Sequence, residues 1–229
     1  MGTAALLDAM RERDARLLLA AALAVLAGAA LLRSITWVLD AVIFTATQGK
    51  GIFPGYPSLL PLAMAELADL LLLLAVVGIA VVLFTWSQPQ ERRWTLLAGV
   101  VLLALWKAWD TRPAYIEQGI FMTGSEWVAV LLLGAASVLL VFPVRAAMPL
   151  AFLAAFGPYA SRWVGWKGFE AYHAAGGGDA NVWPYFAFAA AIHAAGSILL
   201  GLVLADAARR VVGPALAARP REEKEKEPA

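Results

Sequence analysis

Residues 59–86 read LLPLAMAELADLLLLLAVVGIAVVLFTW, and from Leu70 to Trp86 they carry no charge. Crossing a hydrocarbon core of ~30 Å takes ~20 apolar residues in a helix. The stretch therefore predicts a transmembrane helix, Leu59–Trp86, entered through Pro54, Pro57 and Pro61. Its early turns hold Glu66 and Asp69, carboxylates that would be costly in hydrocarbon unless paired or wet.

Five further apolar runs extend this pattern in both directions. The first covers Leu17–Phe44, and the third, Trp94–Trp109, is short. The fourth covers Glu126–Phe142 and stops at Pro143. The fifth covers Met148–Trp163 and carries Gly157-Pro158, where proline removes a backbone donor and predicts a kink. The sixth covers Trp183 to about Ala208. About six helices with short connections use up the 229 residues. The expectation is an all-α, polytopic membrane bundle forming one domain over residues 1–213. Residues 214–229 follow as a charged, solvated tail, whose end from Arg219 to Glu227 has nothing apolar to bury. The first run exceeds a signal-peptide core and is read as a retained helix.

Composition agrees. The chain is 62% hydrophobic and 15% charged, against about 45–50% and about 25% in soluble proteins. Cysteine is absent, which excludes disulfides and iron–sulfur clusters. Two histidines are too few for a four-histidine dihaem core, and a net charge of +1 argues against nucleic acid as a partner. No cofactor and no metal site are expected.

Lys and Arg fix the expected orientation. Arg11, Arg13, Arg16, Arg92, Arg93, Arg145, Arg209, Arg210, Arg219, Arg221, Lys224 and Lys226 would share one side. They outnumber Lys50, Lys107, Arg112, Arg162 and Lys167 on the other. An even number of spans, with both termini cytoplasmic in the plasma or inner membrane, fits that split. The outer loops would be residues 46–58, 111–125 and 164–182. Of nine tryptophans, Trp37, Trp106, Trp109, Trp127, Trp163, Trp166 and Trp183 fall at this outer end. An interfacial belt normally decorates both faces.

The ionisable residues inside the runs gather at the same end. Glu66 and Asp69, three apart, share a helix face. Lys107 and Asp110 repeat the spacing, so a Lys107–Glu66 bridge is expected. Arg33 lies near mid-membrane and needs a partner, for which Asp69 is best placed by depth; Asp40 and Glu126 lie nearby. His193 sits among alanines that allow close helix approach. Glu66, Asp69, Lys107, Asp110, Asp40, Arg33, Glu126 and His193 are thus the candidate ligand-binding residues. The stripe Ala20, Ala24 and Gly28 would suit docking of helix one onto a partner subunit or a second copy.

Trp106–Arg112 resembles the tryptophan-rich segment of haem-handling cytochrome c maturation proteins, whose earlier histidines have no counterpart before His173. Leu105-Trp106-Lys107, Glu126 and the stretch from Tyr185 to Ala207 are similar to parts of the emopamil-binding sterol isomerases. The histidine and glutamate that family carries on an earlier helix are missing between Gly99 and Trp106. The six-helix architecture resembles substrate-binding subunits of energy-coupling-factor vitamin transporters, without a ligand motif. The sequence favours a membrane protein with an outward polar pocket that binds or helps transport a small solute. An intramembrane enzyme for a lipid-linked substrate and a non-catalytic assembly subunit are the alternatives.

Overall fold

The structure, a computed structural model, describes residues 3–46, 59–85, 90–110, 124–175 and 183–217. They form six α-helices: α1 Thr3–Ala46, α2 Leu59–Thr85, α3 Gln90–Asp110, α4 Gly124–Val141, α5 Met148–Ala174 and α6 Trp183–Ala217. One 3-10 turn, Arg145–Ala147, joins α4 to α5, and no strand occurs among the described residues. Among the described residues, three segments are long and apolar enough to cross a membrane: Arg11–Leu39, Ala63–Thr85 and Pro184–Pro214. A shorter apolar segment, Trp127–Val141, lies in α4.

Leu19, Leu23, Ile79, Leu96, Leu140 and Leu204 are almost fully enclosed and knit the helices together. The outside is apolar as well. Leu70, Leu73, Leu74, Val77, Val81 and Phe84 are exposed along α2, and Phe188, Ile198 and Leu202 along α6. A continuous surface of this kind marks contact with lipid or protein rather than water. The protein is an all-helical bundle with helices of membrane-spanning length and composition.

The helices form a ring. α1 packs on α2 and α6, α6 on α5, α5 on α4, and α4 on α3. α2 and α3 complete the ring with far sparser contact. Small residues set the close approaches, as expected where packing rather than hydrophobicity holds helices together. A Cβ on Gly78 would stand 3.1 Å from Ala22 Cβ, and one on Gly201 would stand 3.0 Å from the Leu31 side chain.

Three helices run more than two turns further than the sequence predicts. α1 begins at Thr3, and α6 continues through Gly213 and Pro214 because Ala207, Ala208, Val211 and Val212 still pack on the core. α5 passes Trp163 and runs through Gly165 and Gly168, which the sequence reading places in a loop. Gly168 is a packing site there, since a Cβ on it would meet Tyr185 Cβ at 2.7 Å. α5 also stays one helix through Pro158. Pro158 cannot donate to the Ala154 carbonyl, which faces Gly196 of α6 instead. Of the small-residue stripe on α1, only Ala20 is buried; Ala24 is exposed and nothing lies within 4 Å of a Cβ on Gly28.

The far end of α4 is closed by a side chain from α3. Arg92 donates to the Leu139, Leu140 and Phe142 carbonyls, at 3.4 and 3.1 Å for the first two. These are among the last carbonyls of the helix, which lack partners within it. Burial pushes the pKa of Arg92 down to about 10, so it remains a cation at neutral pH.

Candidate functional site

The ring holds a partly open cavity of about 200 Å³ to which all six helices contribute side chains. One end is polar. Arg33 of α1 bonds Asp69 Oδ1 on α2, and Lys107 Nζ of α3 bonds the other oxygen of the same carboxylate at 2.6 Å. Asp69 therefore clamps three helices with both of its oxygens. The Arg33 guanidinium also lies 5.3 Å from the centroid of the Trp106 ring, within cation–π range.

Trp106 carries the network onward. Its indole N–H donates to the Tyr159 hydroxyl at 2.5 Å, and that hydroxyl donates to Asp110 Oδ1 at 3.2 Å. Arg162 Nη2 donates to the same oxygen at 3.0 Å, and its guanidinium lies 5.0 Å from the Tyr159 ring centroid. A continuous polar chain thus runs from α2 through α1 and α3 to α5.

His193 closes the cavity on the α6 side. Its ring stacks on Trp37 with centroids 4.5 Å apart and an interplanar angle of 23°. Nδ1 lies 3.2 Å from Ser161 Oγ, and that hydroxyl donates to the Pro158 carbonyl at 2.7 Å. With its proton committed there, Ser161 accepts, so Nδ1 carries the imidazole proton and Nε2 bears a lone pair. Nε2 is buried without a hydrogen-bond partner among the described residues. Gly157 and Gly196 bring α5 and α6 close enough for this pair to form.

The opposite end of the cavity is apolar, walled by Leu26, Leu72, Leu140, Leu200 and Leu204, with Ser137 the polar exception. Seven residues of α1 separate Arg33 from Leu26, a depth of about 10 Å at 1.5 Å per residue.

Of the residues singled out from sequence, Arg33, Asp69, Asp110 and His193 line the cavity, and Lys107 reaches its edge through Asp69. Arg33 takes the partner expected from depth. Lys107 does not: it bonds Asp69, while Glu66 stands exposed on α2 and does not line the cavity. Residues three apart on a helix differ by about 60° in direction, enough to turn one carboxylate in and the other out. The side chains of Asp40, Glu126 and His173 lie outside the described residues. Tyr159, Arg162 and Ser161 were missed as site residues. Tyr159 and Arg162, three apart on α5, carried the same spacing signal as Lys107 and Asp110.

Among the described residues, no three His, Asp or Glu side chains are grouped to hold a metal ion. Comparison with known proteins adds no precedent: no family model, no curated protein and no solved structure matches the chain.

Proposed function

We propose that this is a multi-pass membrane protein that binds a small solute in the cavity between its helices, for transport or for delivery to a larger membrane assembly. In this reading α3, α4 and α5 also cross the bilayer, giving six spans with both termini cytoplasmic in the plasma or inner membrane. The basic residues of α1, the start of α3, the α4–α5 turn and α6 then share the cytoplasmic face. Arg33, Asp69, Asp110 and Arg162 would meet the solute, with Lys107 and Tyr159 holding two of them in place.

The observation that carries the reading is the cavity itself. A purely structural charge cluster would be expected to close on itself, as unfilled space forfeits dispersion contacts. Here all six helices place polar side chains around about 200 Å³ of space. Drug-sized ligands occupy about 300–1,000 Å³, so the occupant is smaller or threads in by one part. Acid–base chemistry by Asp69 is not favoured, because a cation already engages each of its oxygens.

The test compares small molecules that co-purify with the wild-type chain and with Ser197→Trp, whose indole would fill the cavity. A species present in the first and depleted from the second is the expected result. Identical sets from two folded proteins would sink the reading.

A further inference from the structure

We infer that the occupant is an amphiphile with one anionic head and a single alkyl chain, which reaches the cavity from the bilayer between α2 and α3; this rests on the cavity being a binding site. Three observations point there.

The first is charge. Arg33, Lys107 and Arg162 supply three cations to the cluster, against the carboxylates of Asp69 and Asp110. His193 contributes either no charge or a further positive one, so it does not reduce this balance. One positive charge is left over among the described groups. A surplus charge at membrane depth is costly until an anion joins it. Arg33 is the natural seat: one guanidinium nitrogen bonds Asp69, and the others have no acceptor among the described residues. A guanidinium fork matches a carboxylate or phosphate oxygen pair.

The second is shape. From this charged end the cavity continues about 10 Å inward between leucines of α1, α2, α4 and α6. Such a wall offers nothing to a polar solute but fits a medium-length alkyl chain. About 200 Å³ leaves no room for the two tails of a bilayer lipid.

The third is the seam. α2 and α3 are the loosest neighbours in the ring, and the Lys107–Asp69 pair ties them together beside the head position. Exposed Leu70, Leu73 and Leu74 on α2 and Val101 and Leu105 on α3 show that both helices present apolar surface outward. A ligand already dissolved in lipid would meet this seam first.

The experiment is equilibrium dialysis of isotope-labelled decanoate against the full chain in nanodiscs of zwitterionic lipid, with empty discs subtracted. Acetate and decyltrimethylammonium serve as comparison probes. Expected are saturable uptake of one decanoate per chain, loss of that uptake in Leu200→Trp, and binding weakened roughly tenfold by loss of one charge-assisted hydrogen bond in Arg33→Gln. Should Arg33→Gln fail to fold, Arg162→Gln, at the more exposed end of the cluster, carries the same expectation of weaker binding. Saturable decyltrimethylammonium, or acetate bound as tightly as decanoate, overturns the ligand class while leaving the cavity as a binding site. Absence of saturable decanoate uptake also overturns it. Decanoate binding that Leu200→Trp leaves unchanged would place the ligand elsewhere and overturn the inference, while the cavity reading stands or falls with Ser197→Trp.

Discussion

Gly157 and Gly196 meet backbone to backbone where α5 crosses α6. A Cβ on Gly157 would stand 2.9 Å from Gly196 Cα, and one on Gly196 would stand 3.0 Å from Gly157 Cα and from the Ala154 carbonyl oxygen. Backbone cannot swing aside as a side-chain tip can. This contact sets the helix separation at which His193 reaches Ser161.

Gly196→Val should therefore destabilise the protein by at least the ~1–3 kcal/mol typical of overpacking. Gly28→Ala, where nothing lies within 4 Å, should stabilise α1 by about 0.5–1 kcal/mol through helix propensity alone. Thermal unfolding of both variants in one detergent checks the pair. Equal effects would show that the α5–α6 contact is not as tight as described.

Asp69→Asn leaves Arg33 and Lys107 without their common anion and should cost about 1–3 kcal/mol, less than a fully buried pair because these side chains are only partly buried. Lys107→Met retains the Arg33–Asp69 pair and should cost distinctly less. Denaturation midpoints of the two variants decide the order, and the reverse order would refute the clamp.

Tyr159→Phe removes the acceptor of the buried Trp106 indole N–H, with an expected cost of about 1–3 kcal/mol. The hydrogen bond further predicts coupling: Trp106→Phe combined with Tyr159→Phe should cost less than the sum of the single changes, by about 0.5–3 kcal/mol. Strict additivity in a double-mutant cycle would remove Tyr159 from the network.

Glu170 lies beyond the part of α5 read as spanning the membrane. Its hydrogen bond from Lys167 Nζ at 2.7 Å, helped by one from Trp166 Nε1 at 2.9 Å, holds its carboxyl below the usual carboxylate range. For a carboxylate lowered on folding, the stabilisation is present above its unfolded value and disappears as pH falls through the folded value. Both groups are well exposed, so the contribution is small. NMR titration of the Glu170 carboxyl should give a value below the ordinary one that rises in Lys167→Met. An unchanged midpoint would show that the pair does not form in solution.

The helices were legible because uncharged runs bounded by prolines and charged loops have few alternatives at this hydrophobicity. Their ends were less so. Gly165 and Gly168 looked like loop residues, yet in α5 they admit neighbouring side chains, a distinction that only the partner helix defines. The Arg33–Asp69 pair followed from depth, since both positions lie a similar distance into their runs. Lys107 took Asp69 rather than Glu66 because helix rotation, which spacing leaves open, decides which carboxylate faces the ring. Tyr159 and Arg162 shared the three-residue spacing of Lys107 and Asp110, but their partners, like that of Ser161, depended on the α5–α6 and α3–α5 approaches, which nothing local in the sequence signals.

Arg92 grips the carbonyls of α4 from the base of α3, at the end of the bundle remote from Lys107. α3 and α4 are thereby coupled at their foot, whereas α3 meets α2 sparsely, with the Lys107–Asp69 ion pair near its top. A lever pinned below and latched above swings widest at the latch. Releasing Lys107 from Asp69 would part the two helices beside the charged pole of the cavity, while the leucine-lined floor, held by the Arg92 pin, would stay shut.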